Sequence, residues 1–289
     1  MDTIEQIPAL RQRLGGEKSV AFVPTMGNLH AGHLALVHEA RRRGQCVVAS
    51  VFVNRLQFEP GGDFDRYPRT LERDATMLAE AGCDVLFCPT ESELYPQKQE
   101  IVLSAPAVAR QLCGDFRPGH FEGVVTVVAK LFNAVTPQVA IFGRKDYQQL
   151  QVIRALVKQL NYPIEIVGID TVREADGLAM SSRNGYLSPA ERAEAVRLNR
   201  ALRSVVDGIR AGARDAHSRC ALAADELSRA GWKVDYVAAR DADGLGPVGA
   251  TTRELVVLGA AWLGKTRLID NLSVSLVAAA SGSGAVAIA

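Results

Sequence analysis

The fold is decided by three consecutive stretches near the start of the chain: SVAFVPT (19–25), HLALVHEARRRG (33–44) and CVVASVFVN (46–54). The outer two are short, apolar and rich in β-branched residues, as buried strands are, and the middle one is amphipathic. Strands that alternate with helices in this way predict βαβ units and a parallel sheet. The alternation continues through TLERDATMLAEAG (70–82) and CDVLFCPT (83–90).

The same pattern extends through the next eighty or so positions to about residue 174. It runs through VVTVVAKLFNAVTP (124–137), QVAIFG (138–143), DYQQLQVIRALVKQL (146–160) and IEIVGIDTV (164–172). We therefore expect an α/β fold in which residues 1–174 form a Rossmann-like, doubly wound parallel sheet. Ligands of such a sheet bind at the carboxyl ends of its strands.

After this domain the amino-acid composition changes to an Ala- and Arg-rich pattern that predicts helices. Ser188 is a plausible N-cap, with Pro189 at the first helical position and Glu191 at the third, which together resemble a capping box. Two helices are predicted, over about 189–211 and 215–230.

Three alternating stretches follow the helices: KVDYVAARD (233–241), ELVVLGAAWLG (254–264) and TRLIDNLSV (266–274). Their pattern is typical of a small antiparallel sheet. We expect residues 175–280 to form a smaller C-terminal α+β domain. The last residues, 281–289, are rich in Ala, Ser and Gly and are predicted to be a disordered tail.

Composition narrows the function classes. Of 289 residues, 48% are hydrophobic and 22% charged, which excludes collagenous and wholly disordered chains. Lys and Arg number 33 against 32 Asp and Glu, so the sequence has no electrostatic footprint for nucleic acid or an anionic membrane. An anionic ligand must therefore be bound by a local site.

The cysteines and the N-terminus point to the cytoplasm. The five cysteines are odd in number and never form a C-x-x-C pair, which favours reduced thiols and gives no support for a zinc site. The N-terminal stretch mixes acidic and basic residues and lacks the apolar core of a signal peptide. No run of membrane-spanning length occurs outside the small-residue tail.

The most informative motif is VPTMGNLHAGHLALV (23–37), where a strand ends, a Gly-containing turn follows, and His30 and His33 begin a helix. Backbone N–H groups and the helix dipole favour an anion at such a terminus, and two imidazoles on one turn can add donors to phosphate oxygens. A triphosphate site is the functional interpretation. The alternatives are ordinary surface histidines or a zinc pair, for which the sequence supplies no further ligand cluster.

Other candidates follow neighbouring strands. Asn54 and Gln57 come after CVVASVFV and carry neutral amides suited to hydroxyl and carboxylate groups, although such amides also cap helices. Lys145 and Asp146 come after QVAIFG, where a lysine can neutralise phosphoryl charge, although a solvated ion pair is an equal alternative.

Two loops are ambiguous from the residues alone. The segment Met180–Arg183 offers hydroxyls and a guanidinium that can close over pyrophosphate, yet such a string is also an ordinary turn. RPGHFEGV (117–124) precedes a buried helix and is either a lid or a plain loop.

One motif points elsewhere. Residues 259–266, GAAWLGKT, satisfy the P-loop pattern G-x-x-x-x-G-K-[ST]. That pattern requires a following helix and a parallel core, whereas TRLIDNLSV follows here. We predict a chance match, with Lys265 in a turn between antiparallel strands.

The 23–37 stretch resembles the HIGH motif of the class I nucleotidylyltransferase and aminoacyl-tRNA synthetase superfamily, and the whole string is similar to the pantothenate synthetase (pantoate–β-alanine ligase) family. Four further segments match that family in order: SVFVNRLQF (50–58), YPRT (67–70), FGRKDYQQL (142–150) and TVREADGLAMSSRN (171–184). The last of these contains a counterpart of the superfamily's KMSKS loop. The sequence departs from the family pattern at two places: Arg55-Leu56 stands where the family has Pro-Met, and Arg144 stands where the family usually has an acidic residue.

The resemblance implies an ATP-dependent ligase that condenses (R)-pantoate with β-alanine through a pantoyl adenylate, releasing AMP and pyrophosphate. It assigns catalytic roles to His30, His33, Lys145, Ser181, Ser182 and Arg183, with His33 the family's proton donor. It assigns ATP binding to Met26, Gly27, Asn28, Leu29, His30, Ala31, Gly32, His33, Gly143, Arg144, Lys145, Asp146, Val172, Met180, Ser181, Ser182 and Arg183. It assigns pantoate and β-alanine binding to Asn54, Gln57 and Gln149.

The resemblance also implies that Mg²⁺ accompanies ATP, bridging phosphates with few or no protein ligands. A cytoplasmic homodimer without nucleic-acid or membrane partners is expected. Three alternatives stay open: a nucleotidylyltransferase, which would retain the nucleotidyl group in its product; an aminoacyl-tRNA synthetase, disfavoured by the lack of a basic anticodon-binding extension; and a non-catalytic nucleotide sensor.

Overall fold

The structure is a computed structural model that describes residues 1–59, 64–212 and 215–276. The chain divides into two units. The first unit is Met1–Val172 and the second begins at Arg173. The predicted tail, 281–289, lies outside the described residues. Among the described helices, none has both the length and the apolar composition that crossing a membrane requires.

The first unit is a parallel sheet flanked by helices. Its strands are β1 (Asp2–Ile4), β2 (Val20–Thr25), β3 (Cys46–Val51), β4 (Val85–Phe87), β5 (Val139–Gly143) and β6 (Glu165–Ile169). Its helices are α1 (Ile7–Leu14), α2 (Ala31–Arg43), α3 (Leu71–Glu80), α4 (Glu91–Leu94), α5 (Cys113–Phe116), α6 (His120–Val135) and α7 (Tyr147–Gln159). The strand order is β1-β4-β3-β2-β5-β6, and every pair is parallel. The predicted doubly wound α/β architecture is confirmed.

The central strands are buried on both faces, which explains their continuous apolar runs. On one face Val23 and Ala49 belong to a cluster with Val37 of α2. On the other, Phe22 meets Phe132 of α6 edge to face, with ring centroids 6.4 Å apart. These layers leave the carboxyl ends of β2, β3 and β5 side by side at one edge of the sheet.

Within its described residues, the second unit packs three α-helices and a three-stranded antiparallel sheet. Its helices are α8 (Pro189–Glu194), α9 (Val196–Arg210) and α10 (Ala216–Arg229), and its strands are β7 (Lys233–Asp241), β8 (Glu254–Leu263) and β9 (Thr266–Ser275). The strands pair antiparallel in the order β7-β8-β9, as predicted. Leu202 of α9, Leu227 of α10 and Val257 of β8 share its apolar core.

The predicted helix 189–211 is instead two helices that meet at Ala195. The capping box at its start is as predicted: Ser188 Oγ accepts from the Glu191 N–H at 3.3 Å, and Glu191 Oε2 accepts from the Ser188 N–H at 2.8 Å. The P-loop-like string ends in a two-residue turn, Gly264–Lys265, between the antiparallel strands β8 and β9. The predicted turn between antiparallel strands is confirmed, and no helix follows it in the described residues.

Candidate active site

A strained turn joins β2 to α2 at the centre of the sheet edge. Gly27 has φ +79°, and a Cβ there would lie 3.0 Å from both Asp74 Oδ2 and Val51 Cγ1, so the position requires glycine. Thr25 Oγ1 accepts from the Gly27 N–H at 3.2 Å and donates to the Ser50 carbonyl at 2.7 Å. The hydroxyl thereby ties the turn to β3.

Asp74 of α3 holds the other side of this turn and was not predicted from the sequence. Its carboxylate is fully buried and accepts from the backbone N–H groups of Asn28 at 2.8 Å and Leu29 at 2.9 Å. Thr70 Oγ1 donates to it at 3.0 Å. These bonds fix Asn28 at φ +50°, a left-handed conformation. The turn that precedes α2 is therefore rigid before any ligand binds.

His30 and His33 form an imidazole version of a capping box at the start of α2. His30 Nδ1 accepts from the Gly32 N–H at 3.1 Å, and His33 Nδ1 accepts from the His30 N–H at 3.3 Å. A backbone N–H can only donate, so both Nδ1 atoms are acceptors and each neutral ring carries its proton on Nε2. The two rings lie 4.1 Å apart, centroid to centroid.

Both imidazoles are held in the neutral form. Burial lowers the pKa of His30 to about 4, and the Lys145 ammonium adds to that shift while Asp146 opposes it. Burial lowers the pKa of His33 to about 3, with His30 and Lys145 adding to the shift. At neutral pH the pair offers two Nε2–H donors without formal charge.

Lys145 and Asp146 follow β5, the strand next to β2, in a 3-10 turn Arg144–Asp146 that leads into α7. Lys145 Nζ lies 3.6 Å from Asp146 Oδ2, and the lysine side chain is only 20% exposed. The Lys145 ammonium contributes to the lowered pKa of both histidines. Gly143 lies at the end of β5, and Val172 lies past the end of β6.

The two departures from the family pattern have partners at the surface. Arg144 donates to Asp170 at 2.9 Å in an exposed ion pair. The Arg55 guanidinium stacks on Phe64, 4.0 Å from the ring centroid, and lies 3.4 Å from Glu91. Solvated pairs of this kind contribute little to stability.

Asn54 and Gln57 follow β3 as a hydrogen-bonded pair. Asn54 is 1% exposed, and its Nδ2 donates to Gln57 Oε1 at 3.2 Å and to the Gly123 carbonyl at 3.1 Å. Gln57 Nε2 lies 2.9 Å from Met26 Sδ, at the start of the histidine turn. The family resemblance predicts both amides as ligand-binding groups, and in the structure both are buried, Asn54 at 1% and Gln57 at 9% exposed.

Helix α6 supports the 3-10 turn that carries Gln57. A Cβ on Gly123 would lie 2.3 Å from the Leu56 carbonyl oxygen, so only glycine allows this approach. Arg117 lies 3.0 Å from His120 Nε2, and His120 Nδ1 lies 2.9 Å from the Gln57 carbonyl. A guanidinium only donates, so Nε2 accepts and Nδ1 donates to Gln57. These contacts, and the start of α6 at His120, favour the ordinary loop over a lid for RPGHFEGV.

Two adjacent glutamines at the start of α7 have different surroundings. Gln148 is buried and donates to the carbonyls of Val108 and Gln111 at 2.9 and 2.7 Å while accepting from the Cys113 N–H at 3.0 Å. It therefore anchors the preceding loop, a role that the sequence did not reveal. Gln149, the predicted substrate contact, is partly exposed.

In the second unit, a short hairpin precedes the segment Met180–Arg183. Arg173 bridges to Ala179, and Gly177 turns the hairpin at φ +97°. The Ser181 hydroxyl accepts from the Arg183 N–H at 3.2 Å and caps the 3-10 helix Ser182–Tyr186.

A buried ion pair anchors that hairpin to β9. Arg173 donates to both carboxylate oxygens of Asp270 at 2.8 Å and to the Gly177 and Asn271 carbonyls at 3.0 and 3.1 Å. Asn199 of α9 donates to Asp270 at 2.8 Å. Every contact is within the second unit, so its own core sets the path of the chain into Met180.

Within the part of the chain that the structure describes, no three His, Cys, Asp or Glu side chains come together as metal ligands. Asp74, the carboxylate nearest the turn, is occupied by two backbone N–H groups and the Thr70 hydroxyl.

Solved structures resemble this chain closely. Pantothenate synthetase from Thermus thermophilus matches with a TM-score of 0.90 at 46% identity, over 94% of this chain and 99% of that one. Pantoate–β-alanine ligase from Francisella tularensis, complexed with beta-gamma ATP and β-alanine, matches with a TM-score of 0.80 at 31% identity, over 94% and 97%.

Curated relatives align with this chain over nearly their full length. Pantothenate synthetase from Thiobacillus denitrificans is 58% identical over 279 residues, covering 96% of this chain and 99% of the relative. That from Chromobacterium violaceum is 57% identical over 273 residues, covering 94% and 98%. A model of the pantoate–β-alanine ligase family matches residues 1–273. The chain therefore belongs to the pantoate–β-alanine ligase family.

Proposed function

We propose that this chain catalyses the ATP-dependent condensation of (R)-pantoate with β-alanine to pantothenate, with AMP and pyrophosphate as the other products. Family membership supports the reaction. The assignment of roles to residues is supported by one observation: the candidate side chains follow the carboxyl ends of three adjacent strands. His30 and His33 follow β2, Gln57 follows β3 and Lys145 follows β5.

The chemistry requires activation of a carboxylate, because oxide is a poor leaving group. One carboxylate oxygen of pantoate attacks the α-phosphorus of ATP, the bond to the bridging oxygen breaks, and pyrophosphate leaves with that electron pair. The amine of β-alanine then attacks the acyl carbon of the adenylate, loses a proton and expels AMP. No covalent bond to the protein forms, so the residues act by positioning and charge stabilisation.

His30 and His33 stabilise the phosphorus centre as neutral donors. With pKa values of about 4 and about 3, each ring holds its Nε2 proton at pH 7 and no second proton. The rings therefore donate hydrogen bonds to phosphate oxygens, and Lys145 supplies the formal positive charge. This division of roles avoids placing two adjacent cations on one helical turn.

Pantoate is held by amides. Gln57 and Gln149 contact its hydroxyl and carboxylate oxygens, because amides bind such groups without imposing charge. Asn54, fully buried behind Gln57, acts on the substrate through that side chain. Met26 lies against the Gln57 amide and joins the pantoate subsite to the histidine turn.

The remaining contacts belong to ATP. Gly143, Asp146 and the backbone of Val172 hold the nucleoside, and Gly27, Asn28, Leu29, Ala31 and Gly32 form the turn against which the phosphates rest. Met180, Ser181, Ser182 and Arg183 bind the phosphates, a role that rests on their resemblance to the KMSKS loop. When bound with ATP, Mg²⁺ would supply positive charge to the triphosphate, and no protein carboxylate is assigned to hold it.

We assign the chain to the cytoplasm and expect it to act as a homodimer. All five cysteines are buried thiols, which suits a reducing compartment. The dimer is carried over from the family. Light scattering coupled to size exclusion tests it, since a monomer mass of 31.1 kDa is readily distinguished from twice that value.

The two-step reaction is tested by pantoate-dependent exchange of labelled pyrophosphate into ATP without β-alanine. Exchange that requires pantoate, followed by AMP release that requires β-alanine as well, is the expected result. Exchange supported equally by unrelated carboxylates, or ATP binding without exchange, would contradict the proposal and favour a nucleotide sensor.

A further inference from the structure

A tyrosine outside the predicted site begins a chain of hydrogen bonds that ends at Gln57. Tyr95 follows α4, and its hydroxyl donates to Asn54 Oδ1 at 2.8 Å. Asn54 Nδ2 in turn donates to Gln57 Oε1 at 3.2 Å. Neither the composition of the Tyr95 segment nor the family motifs quoted above point to this residue.

The direction of this chain is fixed at one point, the Gly123 carbonyl. A carbonyl oxygen only accepts, so the Asn54 atom 3.1 Å from it is the amide nitrogen. Asn54 Oδ1 must then face Tyr95, whose hydroxyl donates. The second N–H of Asn54 faces Gln57, which turns its Oε1 inward and leaves Nε2 directed toward Met26 Sδ.

We propose that Tyr95 is a positioning residue that fixes, through Asn54, which end of the Gln57 amide meets the substrate. The inference rests on the proposed role of Gln57 in pantoate binding and adds which end of its amide, the donor nitrogen, faces the substrate. Gln57 presents N–H donors, so the group that it recognises is an acceptor oxygen, a carboxylate or hydroxyl of a small hydroxy acid.

The Tyr95 ring is held so that its hydroxyl stays in place. Phe52 packs on it with ring centroids 6.1 Å apart, and Lys130 Nζ lies 4.8 Å from its centroid. Lys130 also donates to Gln99 at 2.9 Å, which fixes the ammonium. Burial, with Glu91 adding, raises the pKa of Tyr95, so the phenol remains a donor throughout the neutral range.

Replacing Tyr95 by Phe removes only the hydroxyl. Asn54 Oδ1 then loses a donor in a site that is 1% exposed, and the Gln57 amide loses its fixed orientation. We expect the KM for pantoate in the exchange reaction to rise about tenfold, the usual effect of one lost hydrogen bond. The KM for ATP should stay within about twofold, because the histidine turn is held independently by Asp74.

Tyr162 provides the matched control. Its hydroxyl donates to Asn133 Oδ1 at 3.4 Å in an exposed pair, and its ring packs on Phe132, so Tyr162→Phe removes the same chemical group at a site away from Gln57. This pair has no connection to Gln57, and the variant should keep the wild-type KM for pantoate. A rise in both variants would indicate a general effect of losing a tyrosine hydroxyl and would overturn the proposal.

The decisive measurement is a double-mutant cycle of Tyr95→Phe and Gln57→Ala. If Tyr95 acts through the amide, Gln57→Ala raises the KM for pantoate and Tyr95→Phe adds nothing in that background. Additive effects, or a Tyr95→Phe enzyme that is less heat-stable with an unchanged KM, would overturn the positioning role alone. A Gln57→Ala enzyme with wild-type KM would instead contradict the proposed function of Gln57.

Discussion

The His30 backbone N–H donates to Nδ1 of His33 at 3.3 Å, while His30 Nδ1 accepts from the Gly32 N–H. The same two rings therefore close the start of α2 and leave their Nε2–H groups out of these capping bonds. In most capping boxes a hydroxyl and a carboxylate close the start of the helix and have no other function. Here the capping bonds also select the tautomer, so local helix structure determines which nitrogen is available to a phosphate.

Stability should fall as the pH drops from 7 to 5. In the folded chain His30 and His33 have pKa values of about 4 and about 3, against about 6.5 unfolded. Between these values the unfolded chain binds more protons, so the unfolding free energy decreases with falling pH, by at most about 1.4 kcal/mol per pH unit for each histidine. Urea unfolding from pH 5 to 7.5 measures the slope. A double variant, His30→Asn with His33→Asn, should have a shallower slope, and an unchanged one would show that other groups cause it.

Substitutions at His30 should separate the cap from the donor. Asn retains an oxygen that can accept from the Gly32 N–H, so His30→Asn should keep wild-type stability, whereas His30→Ala should cost about 1 kcal/mol. Both lack Nε2–H and should lower the pyrophosphate-exchange rate by two to three powers of ten, roughly the effect of losing one preorganised donor. Urea unfolding and exchange kinetics measure the two properties. If His30→Asn retained full exchange activity, the donor role would be wrong.

Two lysines should differ sharply in their effect on adenylation. Lys145→Ala removes the cation beside the imidazoles and should slow exchange by roughly two to three powers of ten. Lys265→Ala changes an exposed hairpin residue and should leave exchange unaffected. Steady-state exchange kinetics with both variants provide the comparison. A crippled Lys265→Ala enzyme would restore the P-loop interpretation.

Gly123→Ala should displace the turn that carries Gln57. The added methyl would lie 2.3 Å from the Leu56 carbonyl oxygen and 2.6 Å from the Gln57 nitrogen, contacts that only a backbone shift can relieve. We expect a loss of about 1–3 kcal/mol in unfolding free energy and a higher KM for pantoate. Gly16→Ala is the control, since a Cβ there meets nothing within 4 Å. Equal behaviour of the two variants would exclude a tight contact at Gly123.

Sequence patterns predicted the parallel sheet because its central strands are long, apolar and separated by helices. They did not predict β1, since Asp2, Thr3 and Ile4 are too few to show a period. That strand exists through pairing with β4, for which the Cys88 N–H donates to the Ile4 carbonyl at 2.9 Å. Its cause is tertiary and lies 84 positions away in the chain.

The residues of the site divide in the same way into those that a local sequence pattern predicts and those that only tertiary contacts explain. His30, His33, Lys145 and Gln57 stand in motifs whose spacing is visible in the sequence. Asp74 could not be predicted, because its role consists of hydrogen bonds to backbone groups 45 and 46 residues earlier. Groups that would contact a ligand are marked by local pattern, whereas those that hold them depend on how distant segments meet.

The ion pair of the second unit should stabilise the folded chain and support ATP binding. Arg173 and Asp270 are 18% and 3% exposed and share two hydrogen bonds of 2.8 Å. Asp270→Ala leaves the guanidinium without its carboxylate and should reduce the unfolding free energy by about 3–5 kcal/mol. Because Arg173 also holds the Gly177 carbonyl of the hairpin before Met180, the KM for ATP should rise as well.

Asp207→Ala is the matched control for that variant. It breaks an exposed pair with Arg210 in α9, 3.9 Å long, and should change neither property measurably. Thermal unfolding and ATP-dependent exchange separate the outcomes. An Asp270→Ala enzyme that is destabilised but keeps its KM for ATP would mean that residues 180–183 find their conformation without the hairpin, and the ion pair would then serve only the packing of β9 against α9.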